Sequence, residues 1–198
     1  ISFVILAVSG LVMLFGKYIL LPLFGYTLFS WLAILSKNLH NFVGPLFAVC
    51  TVVMFFTFVK DNIWQRGDWH WIVKAGGLFT GKHVPSWRFN IAEKSWFWLG
   101  VTFLGIISSV TGFILDFPNF AQGRETMQAA NVIHAITAIL FIAASLGHIY
   151  IGTIGMEGAF DAMGTGQVDL NWAKEHHSLW AERELARKGG SGEAAPAE

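Results

Sequence analysis

Four long apolar runs with almost no charged residues divide this chain of 198 residues, and no other feature limits its possible folds as severely. They cover roughly residues 1–21, 39–59, 95–115 and 131–154. Each approaches or exceeds the ~20 residues that carry an α-helix across a hydrocarbon core of about 30 Å. With no water to accept hydrogen bonds there, the backbone must satisfy itself, as a helix does. The expected fold is therefore all-α: a four-transmembrane-helix bundle over residues 1–159, with a middle loop over 60–94 and a tail over 160–198.

Composition agrees. Hydrophobic residues make up 54% and charged residues 13%, against about 25% charged in ordinary soluble domains, so the chain lacks polar surface to cover itself in water. The formal net charge is zero, which gives no electrostatic footprint for nucleic acid. Cys50 is the single cysteine, so an intrachain disulfide and a Cys-based iron–sulfur or zinc site are excluded, and any metal must be held by histidine. The nine Trp and 18 Phe suit lipid-facing positions and interfacial belts, and inside helices they could pave a flat cofactor. Ile1 opens directly into apolar sequence with no basic start or small-residue cleavage pattern. That predicts a trimmed first helix rather than a signal peptide.

The loops orient the bundle. Lys60, Arg66, Lys74, Lys82, Arg88 and Lys94 lie between the second and third runs, and Lys174, Arg183, Arg187 and Lys188 follow the fourth. The other two connections hold only Lys17, Lys37 and Arg124. The positive-inside rule places the middle loop and both termini in the cytoplasm. The stretch 61–89 is expected to lie along the inner surface as an amphipathic segment. The end, from Lys188 to Glu198, reads as a flexible Gly- and Ala-containing tail.

His134 and His148 share the fourth run. Fourteen residues is close to four helical turns, so both imidazoles leave one side of the helix, about 21 Å apart along its axis. Ionisable side chains inside membrane helices are expensive and usually functional, and neutral imidazole is a common axial ligand of haem iron. The pair thus predicts electron transfer across the membrane through two haems. In the orientation above, His40 and His134 lie at the same outer depth and can approach one iron from opposite sides. His148 lies at the cytoplasmic end, and depth predicts its partner within about one turn upstream of Ile1. Each histidine also has a plainer reading as a hydrogen-bonded interfacial residue. Histidines 70, 83, 176 and 177, among charged residues, read as solvated surface.

Other residues carry two readings. Lys37, one turn before His40, could pair with a haem propionate or snorkel to the interface. Gly10, Gly44, Gly112 and especially Gly147 could clear space for a porphyrin or serve tight helix packing. Asn90, three residues before Glu93, has the spacing of a capping box.

Together the residues resemble a known family. Ser9-Gly10, Leu39-His40 with Gly44, Arg88-Phe89-Asn90 with Lys94, Val110-Thr111-Gly112, Ile133-His134, His148-Ile-Tyr150, and Trp172-Ala-Lys-Glu-His-His177 with Trp180 resemble, in order and spacing, the gamma (cytochrome b) subunit of membrane-bound respiratory formate dehydrogenase. The resemblance runs through nearly the whole chain. It implies two haems b, with His40 and His134 as the outer pair, His148 as one inner ligand, and the fourth upstream of Ile1. It also implies a quinone site, for menaquinone or ubiquinone, beside the inner haem, where Asn90, His148 and Lys94 could supply donors to the quinone oxygens. The implied partners are an iron–sulfur beta subunit and an alpha subunit carrying molybdenum or tungsten pterin, in a bacterial inner membrane. The chain itself would perform no formate chemistry.

Two other readings stay open. One is the cytochrome b subunit of a nickel–iron hydrogenase or related reductase, which differs mainly in its electron donor. The other, of a different class, is a haem-free anchor or small transporter with a histidine proton relay. The absence of repeats, broken mid-membrane helices and acidic residues within the four runs speaks against a transporter.

Overall fold

The computed structural model describes residues 1–77, 79–81, 83–120 and 122–190, without the side chains of 188–190. Lys82 and residues 191–198 of the expected flexible tail lie outside the described residues. Every regular element described is helical. Among the described residues three helices are long and apolar enough to cross a membrane: α1 (Ser2–Phe58), α3 (Ile91–Asp116) and α4 (Arg124–Gly155). Shorter helices are α2 (Asp68–Val73), α5 (Asp161–Gly164), α6 (Leu170–His176) and α7 (Ser178–Gly190).

A straight helix of the 57 residues in α1 would extend about 86 Å. It is not straight. Gly25 has φ 73° and ψ 171°, a conformation open to glycine and strained for residues with a Cβ. Pro22 lies three residues before it and has no N–H to hold the preceding turn. The limbs on either side, 2–24 and 26–58, run back along each other: Phe3 meets Phe47 with ring centroids 6.4 Å apart, and Ser9 Oγ lies 2.9 Å from His40 Nδ1. The first two apolar runs therefore do not end at 21 and begin at 39. Residues 26–38 contain no Gly or Pro and are mostly apolar, so they continue the helix, and the connection shrinks to Gly25.

The chain forms two compact units, Ile1–Thr57 with Leu99–Leu146 and Phe58–Trp98 with Gly147–Glu198. In the first, the large apolar side chains face outward, with Phe42 86%, Trp31 70% and Leu146 63% exposed. Among its buried residues are Ser9, Ser36, Thr111, Thr137 and Ser145, beside Val43, Val101, Ala130 and Phe141. Small and hydroxyl-bearing residues let helices approach closely where lipid supplies no hydrophobic drive between them. A water-soluble bundle would place its large apolar residues the other way round.

The second unit is tied by polar contacts. Lys94 Nζ lies 2.7 Å from Asp68 Oδ2, with the two side chains 4% and 6% exposed, and it also donates to the Ile63 carbonyl at 3.2 Å. Asp68 accepts the Gln65 N–H at 2.8 Å through the same oxygen. Ser86 Oγ donates to the His176 carbonyl at 2.6 Å, joining the loop to α6. Among its described residues, the stretch 61–89 holds as helix the six residues of α2 and a 3-10 turn at Ala75–Gly77. Positive φ at Gly67, Gly76 and Gly77 interrupts longer winding.

Candidate functional site

In the first unit, His40 from α1 and His134 from α4 face each other with ring centroids 6.1 Å apart and planes at 79°. Two imidazoles sharing one metal, each with a nitrogen about 2 Å from it, bring their ring centres to about that separation. Each ring is held from behind. Ser9 Oγ lies 2.9 Å from His40 Nδ1, and Thr111 Oγ1 lies 2.9 Å from His134 Nδ1. Both residues line the cavity between the helices.

Both hydroxyls precede a glycine that meets the same histidine. A Cβ on Gly10 would lie 3.3 Å from His40 Cε1, and one on Gly112 would lie 3.4 Å from His134 Cε1. A Cβ at Gly147 or Gly44 would meet no protein atom within 4 Å.

A cavity of about 540 Å³ opens here, lined by Gly10, Lys37, His40, Gly44, Gly112 and His134 among others. Ser108 and Ser109 also line it, and their buried hydroxyls have no hydrogen-bond partner among the described residues. Buried polar groups are rarely left unpaired, so these point to a group that belongs in the cavity. Among the described residues no three His, Cys, Asp or Glu side chains converge on a metal position. Two histidines alone underligate a bare ion. They suit an iron that brings four nitrogens of its own, and the mostly apolar cavity with Lys37 in its lining suits a porphyrin with its carboxylates.

In the second unit, His148 stacks on Trp96, with centroids 4.4 Å apart and planes 11° from parallel. Trp96 opens the π-helical stretch Trp96–Leu104 in α3, and His148 lies three residues before the one at Ile151–Gly155 in α4. Such turns recur at functional sites, since the wider winding re-aims side chains. Neither Trp96 nor the π-turns stand out in the sequence.

Asn90 caps α3. Its Oδ1 accepts the Glu93 N–H at 3.1 Å, and the Glu93 carboxylate accepts the Asn90 N–H at 2.7 Å. This completes the capping box read from the sequence. It uses only Oδ1 and leaves the amide NH₂ as a donor. Lys94 has two partners, Asp68 and the Ile63 carbonyl, for the three donors of its ammonium group. His177 departs from its expected solvated setting: it is buried, with Nδ1 2.9 Å from the Trp87 carbonyl and Nε2 3.7 Å from Glu93 Oε1. His70 and His83 are exposed as expected. Half-buried His176 lies against His83 with centroids 4.8 Å apart; burial and then the neighbouring His83 lower its pKa.

Comparison with known proteins agrees with this chemistry. A sequence model of prokaryotic cytochrome b561 matches residues 1–166. The formate dehydrogenase cytochrome b556(fdo) subunit of Escherichia coli strain K12 is 30% identical over 187 residues, covering 90% of this chain and 82% of that protein. The nitrate-inducible formate dehydrogenase cytochrome b556(Fdn) subunit of the same strain is 30% identical over 151 residues, covering 74% and 69%. The formate dehydrogenase cytochrome b556 subunit of Haemophilus influenzae is 23% identical over 172 residues, covering 81% and 71%.

Proposed function

Because the chain belongs to the prokaryotic cytochrome b561 family, we propose that it is the membrane cytochrome b subunit of a formate dehydrogenase complex, spanning the membrane four times and holding two haems b. The observation that carries this reading is the facing pair His40 and His134, each anchored through Nδ1, across a cavity with unpaired hydroxyls. The fold-back of α1 at Gly25 supports counting that helix as two of the four spans. The transmembrane domain is then 1–159 and the cytoplasmic tail 160–198, with both termini on the inner side of a bacterial inner membrane.

Haem b, when bound, supplies reversible one-electron chemistry. His40 and His134 would hold the outer haem through their imidazoles, Gly10 and Gly112 would admit the close approach, and Lys37 would offer a cation to a carboxylate of that group. His148 would hold the inner haem, with Gly147 beside it. Asn90, through its amide NH₂, forms the edge of a quinone site with His148 and the remaining donor of Lys94. N–H donors there stabilise negative charge on the quinone oxygens while cytoplasmic water delivers protons. An iron–sulfur subunit delivers the electrons and a molybdenum or tungsten pterin subunit oxidises formate. Menaquinone or ubiquinone takes the electrons up. Each electron moved inward works against about 2.3 kcal/mol per 100 mV of membrane potential, which conserves energy.

A dithionite-reduced minus oxidised spectrum of the purified complex, with haem quantified as the pyridine haemochrome, tests this reading. Two b haems per chain are expected, and His134→Ala should remove one. A folded chain made with haem available that binds none would leave only a membrane anchor.

A further inference from the structure

The two facing histidines are held by the same device, used twice. On the 2–24 limb of α1 the sequence Ser9-Gly10 faces His40, and on α3 the sequence Thr111-Gly112 faces His134. Each hydroxyl also reaches a backbone carbonyl four residues earlier, Ser9 Oγ to Ile5 O at 2.6 Å and Thr111 Oγ1 to Ile107 O at 2.6 Å. Two oxygens that close require a hydrogen between them. A hydroxyl carries only one, and a carbonyl has none to give. The hydrogen across each 2.9 Å contact to the imidazole must therefore come from the ring. Nδ1 is the donor in both histidines, and Nε2 carries the lone pair.

We propose that Ser9 and Thr111 are positioning residues for the iron ligands His40 and His134, fixing Nε2 as the ligating nitrogen and setting the ring angle and the haem potential. The proposal rests on the haem reading above. The partner of a ligating imidazole's second nitrogen fixes tautomer and orientation and raises the ligand's basicity. A more basic imidazole favours ferric iron, so both hydroxyls should hold the outer potential down. The glycine that follows each hydroxyl is part of the device: a Cβ there would sit 3.3 Å from the His40 ring or 3.4 Å from the His134 ring, so its absence lets the backbone lie close beside each imidazole without pressing on it.

The test uses the full chain in its membrane complex, with Thr111→Val, Thr111→Ser, Ser9→Ala and Ser9→Thr beside His134→Ala. Haem content, potentiometric titration and the low-spin ferric electron paramagnetic resonance spectrum are read for each. His134→Ala identifies the titration wave of the outer haem. Thr111→Val and Ser9→Ala should move that wave upward by up to tenfold in the equilibrium constant, about 59 mV for one electron, and alter its resonance positions. Thr111→Ser and Ser9→Thr should restore both. Loss of haem in Thr111→Val but not in Thr111→Ser also supports the proposal. Full haem with an unmoved wave in both hydroxyl-free variants overturns it, as does equal haem loss in Thr111→Val and Thr111→Ser. If His134→Ala leaves every wave in place, the outer-haem reading itself fails, a result distinct from either.

Discussion

Trp96 lies flat against His148, 4.4 Å between ring centroids and 11° from parallel. A stacked aromatic pair contributes about 0.5–1.5 kcal/mol beyond burial, and here it also decides which way the imidazole faces. Replacing Trp96 by Ala should broaden or shift the haem absorbance that His148→Ala removes and leave the His134-dependent haem unchanged. Trp96→Phe should retain most of the wild-type spectrum. Low-temperature reduced spectra of the three variants check this.

Lys94 and Asp68 form a buried ion pair, and removing one partner strands a charge. Lys94→Met or Asp68→Asn alone should destabilise the second unit by about 3–5 kcal/mol. The double variant should recover much of the loss. Urea unfolding in detergent, taken as a double-mutant cycle, measures the coupling.

Gly10 and Gly112 leave room for about one methyl group and no more beside rings that are hydrogen-bonded and cannot swing freely. Gly112→Ala should lower haem occupancy modestly, and Gly112→Val should abolish the outer haem. Pyridine haemochrome content per chain reads the difference directly.

Asn90 serves as a helix cap and, in the proposed function, as a quinone donor. Asn90→Asp keeps the cap acceptor and loses the amide NH₂, so it should keep stability and lower quinone reduction about tenfold. Asn90→Ala loses both and should cost an additional ~1 kcal/mol of helix stability. Equal quinone turnover in Asn90→Asp and wild type would confine Asn90 to capping.

His176 sits beside His83, Glu175 and His177, and burial followed by His83 lowers its pKa from 6.5. The unfolded chain then binds a proton at a pH where the folded chain does not, so stability rises with pH through the window just below 6.5. Protection of α6 amides from hydrogen exchange should therefore fall as the medium is acidified below about pH 6.5. His176→Asn should flatten that slope.

Much of the architecture was legible because it is written in local pattern. Runs of some twenty apolar residues, the His134 and His148 spacing, and the Asn90 to Glu93 box all act through the 1.5 Å rise and 3.6-residue turn of one helix. The connection at Gly25 was misplaced because apolar residues 26–38 conceal a helix continuing beyond the turn. The extent of helix within 61–89 is hidden in the sequence, because glycines at positive φ cut its winding short. His177 looked solvated because its neighbours in sequence are charged, whereas its burial comes from the loop carrying Trp87, 90 residues away.

By itself, then, the sequence determined that this is a helical membrane protein whose metal chemistry must run through histidine, since composition and helical period act over a few turns and need no partner. Tertiary structure alone decided which hydroxyl stands behind which histidine, which lysine is neutralised by Asp68, and that Trp96 covers His148. Ser9 and His40 are 31 residues apart and Thr111 and His134 are 23 apart, so each bond depends on the rotation and axial register of two packed helices. Within the membrane no hydrophobic drive sets that register. It is set by the close fit of small residues and by the need of each buried polar atom for a partner.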